Sequence, residues 1–409
     1  MGKRFVIVGT SVYGIENMGD EALLTVLVRE LKRAAPGCYI TWVARHKNET
    51  LAREYGIDEV ILGLEHETKA ASNGRWFNGL NRGDDTIHLK LLAERIAGAD
   101  ALIIGGDPFQ QITLSFNRGL SPYAANLITL GKFLGTKTVL YSIHMGSVLT
   151  DAYAKELTKF CIENADLTLL REQFSLDVIN EMRIDSSGCR VVADSAWGLI
   201  PKIRNVSLFE ILPNFDKGWL DQRILGVNIR HNYWQWSEEK WGRISSEFAK
   251  FLDVVVEKHA AKILFIPNCT YDVDHVMEDD RASHAGIALK MKHSSCTYQI
   301  TQKLSLDQTL SIFPNLWAHV SNRRHSAVFA AVHRLPVLPL GGSWHVRPAF
   351  EEIGLGMNFI EPEFWTSWNL NKSFADVLSA QAVLQQTYEK KLPLLNRLAC
   401  SQGDYIAEL

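Results

Sequence analysis

The chain predicts an α/β fold of two consecutive domains facing a cleft, and three observations carry this. Short apolar runs rich in Val, Ile and Leu recur, most of them without polar alternation, which marks strands buried on both faces of a parallel sheet. Between most of these runs lie segments long enough for a helix. Near the middle, residues 201–222, "PKIRNVSLFEILPNFDKGWLDQ", interrupt the rhythm with Pro and Gly, and a second strand-and-helix series follows. The expected division is a first domain over 1–205, a second over 220–372, and a helical segment over 373–409 packing back on the first.

In the first half the strand candidates are "RFVIVG", "YITWVA", "DALIIGG", "KTVLYS", "DLTLL" and "RVVAD". The segment after Asp20 predicts a helix, because Leu23, Leu24, Leu27, Val28 and Leu31 form one apolar face and "APG" ends it. In the second half "ILGVNIR", "KILFIP", "WAHVSN" and "LPVLPL" read as strands, with helices at "SEFAKFLDVVVEKHA", "LDQTLSIF" and "SAVFAAVHR". The polar stretch from Glu65 to Asp85 reads as a long surface loop or lid.

Composition narrows the class. The chain has 409 residues, 46% hydrophobic and 22% charged, enough apolar material for two substantial cores. A formal net charge of -3 gives no general attraction to nucleic acid or to an anionic membrane surface, so anion binding must be local. The first apolar run meets Gly, Glu16 and Asp20 too early for a signal or membrane span, and no later run reaches roughly 18 residues. No transmembrane segment is expected; peripheral membrane contact stays open. The six cysteines show no C-x-x-C pair, so reduced thiols in the cytoplasm are expected and a zinc site is not.

Open α/β sheets bind ligands beyond the carboxyl ends of their strands, so the loops there hold the candidate residues. "NMGD" brings Asn17, Gly19 and Asp20 to a helix start, where free N–H groups favour an anion. As a carboxylate, Asp20 would cap the helix but repel a phosphate placed there. "IIGGDPFQ" supplies Gly105, Gly106 and Asp107, and "SIHMGS" supplies His144 with Gly146. In the second half, "VNIRH" carries Arg230 and His231, and "SNRRHSAVFAA" places Arg323, Arg324 and His325 at a helix opening, the strongest anion site in the chain. "LGGSWHVR" adds Ser343, His345 and Arg347. An acidic stretch around His275, "DVDHVMEDD", has no metal-loop spacing and reads as solvated. The chain lacks G-x-G-x-x-G after its first strand, a Walker lysine, G-x-S-x-G and H-E-x-x-H, which argues against dinucleotide, P-loop, serine hydrolase and zincin chemistry.

Several motifs share an order. N-x-G-D-E-A after the first strand, the "IIGG" loop, "LREQFS" at 170–175, "VVADSAWGL" at 191–199, "GVNIR" and R-x-H-x-x-x-F-A at 323–330 follow one another as in the polysaccharide pyruvyl transferase family, which the chain resembles from about residue 5 to 356. The resemblance implies two Rossmann-like domains in a GT-B-like arrangement. It also implies transfer of the enolpyruvyl group of phosphoenolpyruvate to a sugar, with no cofactor beyond that co-substrate and with metal dependence open.

The expected partners are therefore phosphoenolpyruvate and a nucleotide- or lipid-linked sugar or glycan acceptor, in exopolysaccharide or other polysaccharide biosynthesis. The resemblance puts Arg323 and His325 at the donor, with Arg230 as a neighbour, and gives Asp20 or Asp107 the acceptor hydroxyl, with Asn17 hydrogen-bonded to the sugar. His325 either assists the phosphate or acts as the acid. Two departures stand out: Asp107 replaces the third glycine of a G-G-G loop, and Gly342 and His345 stand where many members have tyrosine and lysine, with Arg347 nearby to compensate. The competing readings are a GT-B-like glycosyltransferase using a nucleotide sugar, and a non-catalytic glycan-binding homologue. Trp76, Trp234, Trp236, Trp344, Trp365 and Trp368 are candidates for stacking on a sugar or for core roles.

Overall fold

The computed structural model describes residues 2–9, 17–44, 49–62, 87–109, 120–203, 206–219, 221–232, 235–270, 279–342, 346–354, 356 and 359–409. The chain divides into two compact units, one comprising Met1–Gly198 with Leu395–Leu409, the other Leu199–Leu394.

Unit 1 is a seven-stranded parallel sheet in the order β3-β2-β1-β4-β5-β6-β7. Its strands are β1 (Arg4–Gly9), β2 (Tyr39–Ala44), β3 (Glu59–Leu62), β4 (Ala101–Gly105), β5 (Lys137–Ile143), β6 (Leu167–Leu170) and β7 (Cys189–Val191). Its helices are α1 (Met18–Ala34), α2 (Glu49–Tyr55), α3 (Ile87–Ala97), α4 (Leu120–Leu134), α5 (Ala152–Asn164) and α6 (Gln173–Glu181). The uninterrupted apolar runs have the predicted cause. In β1, Phe5 and Ile7 enter the core that includes Leu23, Leu27 and Leu31 of α1, while Val6 and Val8 enter the core that includes Leu127 and Ile128 of α4. Each strand is thus covered on both faces, as parallel sheets require.

Unit 2 is a five-stranded parallel sheet in the order β10-β9-β8-β11-β12. It contains β8 (Ile224–Asn228), β9 (Lys262–Phe265), β10 (Thr297–Gln299), β11 (Ala318–Ser321) and β12 (Val337–Pro339). The helices are α7 (Leu208–Ile211), α8 (Glu238–His259), α9 (Asp280–Ala288), α10 (Leu306–Ile312), α11 (Arg324–Val332), α12 (Val346–Glu352), α13 (Ser367–Ser379) and α14 (Gln381–Ala407), the last of which runs past Leu394 into unit 1.

Three expectations change. The Pro- and Gly-rich stretch at 201–222 is part of unit 2 rather than a connector, because Phe215 packs edge-on against Trp219 at 5.4 Å and Tyr298 at 5.3 Å. Of the helical segment expected to return to the first domain, only Leu395–Leu409 does so. Phe374 of α13 instead meets Trp317 edge-on at 5.7 Å, and the Tyr388 hydroxyl donates to the Leu335 carbonyl, both within unit 2. Finally, two short edge strands add to the expected set: β3 carries only the brief apolar run at 60–62, and β10 carries none and is half-buried. The expected lid over 65–85 lies outside the described residues, as do residues 272–278 of the acidic stretch around His275. The last residue of that stretch, Asp280, is wholly buried rather than solvated, because it opens a core-facing helix and pairs with Arg323.

Candidate active site

In each sheet the strand order reverses once, and the loops leaving the two strands at that point diverge to leave a crevice. In unit 1 the reversal falls between β1 and β4, which pair in register from Phe5 with Ala101 to Gly9 with Gly105. Asp20 follows β1 and Asp107 follows β4, so two predicted residues stand at the reversal. Gly106, with φ 93, turns the chain between β4 and Asp107 in a conformation that side-chain-bearing residues rarely adopt.

The helix cap is Asn17, not Asp20. The Asn17 side-chain oxygen accepts from the Gly19 N–H at 3.1 Å, and its amide donates to Asp20 Oδ2 at 2.9 Å. Asp20 lies in the first turn of α1 and is buried at 7% exposure. Burial, reinforced by nearby Asp107, Glu21 and Asp194 and opposed by Arg171, pushes its pKa up to about 8. Around neutral pH the group is therefore mostly uncharged, which corrects the expectation of a carboxylate that repels phosphate.

Arg171, at the end of β6, lies among these acids with its side chain 1% exposed. Its Nη2 is 3.1 Å from Asp107 Oδ1, its Nε is 3.7 Å from Asp194 Oδ2, and Nε also donates to the Ser142 carbonyl. Burial alone would lower its pKa; Asp107, Asp194, Glu172 and Asp20 outweigh that and hold it above the usual arginine value. Beside it, His144 Nδ1 is 2.7 Å from Glu172 Oε1, and Glu172 also accepts from the Ser175 hydroxyl. The sequence reading gives Arg171, Glu172 and Asp194 no role of their own. The available signal was their position in "LREQFS" and "VVADSAWGL", the two motifs that end β6 and β7.

In unit 2 the reversal falls between β8 and β11, and Arg230 and the Arg323 to His325 group follow these two strands. Their loops are tied together: the Arg230 N–H donates to Asn322 Oδ1 and the Asn322 amide donates to the Arg230 carbonyl, both at 2.9 Å. Gly342 comes close to this turn, since a Cβ there would meet Asn322 Nδ2 at 2.8 Å. Arg323 is the N-cap position of α11, with Arg324 and His325 its first two residues. The Arg323 guanidinium is not an isolated cation. Its Nε is 3.1 Å from Asp280 Oδ1, and Nη2 bonds the same oxygen.

Asp280, wholly buried, also accepts from the N–H groups of Asn268 at 2.8 Å and Cys269 at 3.0 Å. Burial would raise the Asp280 pKa, but Arg323, with His284 and Arg230, brings it below the usual carboxylate value. His284, one turn along α9, accepts from the Ile229 N–H, and burial pushes its pKa down to about 4.

The remaining candidates have surroundings of their own. Arg347 is exposed and directs its guanidinium to Glu351 at 3.1 Å and Glu361 at 3.3 Å. His231 is buried, its ring stacked on Trp241 at 4.9 Å. Trp236 and Trp365 are core residues, whereas Trp368 is exposed. Ser343 and His345, with Trp76, Trp234 and Trp344, lie outside the described residues. Among the described residues, no helix is long and apolar enough to cross a membrane, and no three His, Cys, Asp or Glu side chains are grouped to hold a metal ion.

Solved structures share this architecture. A putative UDP-N-acetylglucosamine 2-epimerase from Listeria monocytogenes superposes with a TM-score of 0.63 at 12% identity, over 98% of this chain and 95% of its own. A UDP-GlcNAc 2-epimerase from Neisseria meningitidis bound to UDP-GlcNAc gives 0.59 at 10%, over 97% of each chain. A glycosyltransferase from Rickettsia africae gives 0.60 at 11%, over 99% and 98%. At such identities the likeness establishes the GT-B-type fold alone. No curated protein matches the sequence. The profile of the family described as polysaccharide pyruvyl transferase, however, matches residues 17–343, a span that contains Asp20, Asp107, Arg171, Asp194, Asp280 and Arg323, and the chain belongs to that family of transferases.

Proposed function

We propose that the chain transfers the enolpyruvyl group of phosphoenolpyruvate to a sugar of a polysaccharide or glycan precursor, closing a pyruvyl ketal across two hydroxyls and releasing phosphate. The observation that supports it most is Asp20, a buried carboxyl group with a pKa near 8 beside the Asp107 carboxylate, in a chain of this family. The reaction needs such a pair. The donor's methylene carbon takes a proton to become a methyl, and a sugar hydroxyl bonds to the adjacent carbon. The carbon–oxygen bond to phosphate breaks, and a second hydroxyl closes the ring. Two hydroxyl protons leave; one replaces the proton delivered to carbon and the other departs on phosphate.

In this reading Asp20 enters the cycle protonated, as a proton or hydrogen-bond donor, and Asp107, whose side chain is 33% exposed, accepts the hydroxyl proton. The expectation that Asp20 itself serves as the resting base gives way to its high pKa. Arg323 and His325, at the start of α11, bind and assist the phosphate, with Arg230 on the facing loop. The UDP-GlcNAc bound by a fold relative favours a nucleotide-linked sugar as the acceptor to try first.

The test is to incubate the purified protein with phosphoenolpyruvate and a panel of nucleotide- and lipid-linked sugars, with and without divalent metal ions. Phosphate release and a pyruvyl mass gain on the acceptor are then measured. Consumption of a nucleotide sugar without either signal assigns the chain to glycosyl transfer instead. Saturable glycan binding with no turnover of any donor makes it a binding protein. Arg323→Ala should raise the donor KM and His325→Ala should lower kcat more than it alters binding. Wild-type kinetics in both would remove these two residues from the site.

A further inference from the structure

The candidate site of unit 1 has a support that comes from the far end of the chain. Gln402 of α14 is buried at 1% exposure. Its amide nitrogen donates to the Ala193 carbonyl at 3.0 Å and to Ser195 Oγ at 2.8 Å, bracketing Asp194 from both sides. Asp194 itself accepts from the Ala196 N–H at 2.8 Å. Nearly two turns earlier on the helix, Asn396 donates to the Trp197 carbonyl at 3.0 Å, so the same helix fixes the 193–197 turn at three points. The chain of contacts continues inward: Ser195 Oγ donates to Ser142 Oγ at 3.2 Å, and the Ser142 carbonyl accepts from Arg171 Nε.

Ser142 has φ 54, a left-handed conformation uncommon for serine, and it is wholly buried. Such a residue persists where its surroundings over-determine it. Here the Gln402 to Ser195 to Ser142 series is that constraint, and its last link is the carbonyl that receives the Arg171 guanidinium. His144, two residues beyond Ser142, opens the loop that leaves β5.

We infer that Gln402 is a positioning residue of the candidate active site: through Ser195 and Ser142 it fixes Arg171 between Asp107 and Asp194. Gln402 hydrogen-bonds to Ala193, Ser195 and Ala399 rather than to the acids, and it lies outside residues 17–343, so the family motifs do not contain it. The inference depends on the reading of the Asp20 and Asp107 cluster as the proton-transfer site.

The test uses the full chain with Gln402→Met, which keeps the volume and removes the amide, and Ser195→Ala, which severs the same series by one hydroxyl. Two readouts separate the inference from the proposed activity. The first needs no substrate: the protonated-carboxyl infrared band that Asp20→Asn removes is followed against pH. Asp20 is faced by Asp107, Glu21 and Asp194, which raise its pKa, and by Arg171, which lowers it. Looser placement of Arg171 should move the midpoint of that band upward in both variants.

The second readout is pyruvyl transfer. Since small misplacements of a catalytic group cost up to about 100-fold, kcat should fall by roughly 10-fold in each variant with the phosphoenolpyruvate KM nearly unchanged. The double variant should lose no more than the worse single one. If the wild type shows no transfer, the proposed function fails while the infrared midpoint still decides the inference. An unmoved midpoint in a folded Gln402→Met or Ser195→Ala protein overturns it, as does a lowered melting temperature with an unchanged midpoint.

Discussion

Arg171 Nη2 lies 3.1 Å from Asp107 Oδ1 although the arginine side chain is only 1% exposed and Asp194, 3.7 Å from its Nε, is wholly buried. A guanidinium in that position compensates two carboxylates at once and has little access to water. Removing it takes the guanidinium away from both acids, and breaking a buried ion pair in this way typically costs about 3–5 kcal/mol. Arg171→Leu should therefore lower the urea midpoint by an amount in that range, and Arg171→Lys should recover only part of it, because an ammonium cannot reproduce the forked geometry. Equal stability of Arg171→Leu and the wild type would show that the cluster relaxes or takes up protons without cost.

The Asp20 pKa makes a prediction with the opposite sign from an ordinary paired carboxylate. Its folded value, about 8, lies above the ordinary 3.8, so between these limits the folded chain holds a proton that the unfolded chain has released. The stability contributed by this group is complete below pH 3.8 and is lost as pH rises toward 8, by about 1.4 kcal/mol per pH unit within the window. Asp20→Asn has no proton to lose and lacks this pH dependence. The difference in unfolding free energy between wild type and Asp20→Asn, measured by denaturant titration from pH 4 to 9, should shift steadily against the wild type and level off above about 8. A pH-independent difference would mean that Asp20 is ionised throughout.

The histidines of unit 2 act on the acid side. Burial lowers His284 to about 4 and His319 to about 3, from an ordinary 6.5, so below 6.5 the unfolded chain gains protons that the folded chain refuses. Their stabilising effect is present above 6.5 and is lost as pH falls toward 4 for His284 and 3 for His319. In His284→Gln, the acid-side slope of stability should fall by about 1.4 kcal/mol per pH unit between 6.5 and 4. An unchanged slope would show that His284 is protonated in the fold.

The legible parts of this chain are those that repeat a simple physical rule. The strands nearest the middle of each sheet are continuous apolar runs because both faces are covered, and α1 shows its buried stripe of Leu23, Leu27 and Leu31 at helical spacing. The loops at both strand-order reversals could be found because they carry glycines and charges directly after such strands. The side-chain pairings could not. Asp280 reaches Arg323 from 43 residues away, and Gln402 reaches Ser195 from 207 residues away. No local pattern encodes these distances; they follow from which strands become neighbours. The ionisation of Asp20 was hidden for the same reason, since burial among Asp107, Glu21 and Asp194 is a property of the packed cluster.

The Arg323 to Asp280 pair adds a requirement to the kinetic test of the donor site. Arg323→Ala removes a guanidinium and also leaves buried Asp280 without its cationic partner, held by the Asn268 and Cys269 N–H groups and the Asn228 amide, all three on Oδ2. Because Asp280 is held below its usual pKa, its contribution is present above pH 3.8 and is lost as pH falls through the lowered value. Breaking the pair should cost about 3–5 kcal/mol at neutral pH, and Arg323→Ala/Asp280→Asn should be more stable than Arg323→Ala alone. If the double variant is the less stable one, Asp280 is held by the loop N–H groups and not by the arginine.

Gly403 gives a last prediction, because the same substitution has opposite expected signs at two helical sites. A Cβ on Gly403 in α14 would fall 2.7 Å from the Glu30 backbone carbon and carbonyl oxygen, which cannot move without displacing α1. Gly242 in α8 has nothing within 4 Å of the same position. Alanine favours a helix over glycine by about 1 kcal/mol, so Gly242→Ala should stabilise by roughly that amount. At Gly403 the propensity gain is set against an overpacking cost of typically 1–3 kcal/mol, and the clash is with backbone, so Gly403→Ala should destabilise. Gln402 lies on the adjacent residue, so displacement of α14 at Gly403 should also lower kcat, whereas Gly242→Ala should leave it unchanged. Thermal melts and transfer assays on the two variants check both halves; stabilisation by Gly403→Ala would show that α14 is not seated against α1 at this point.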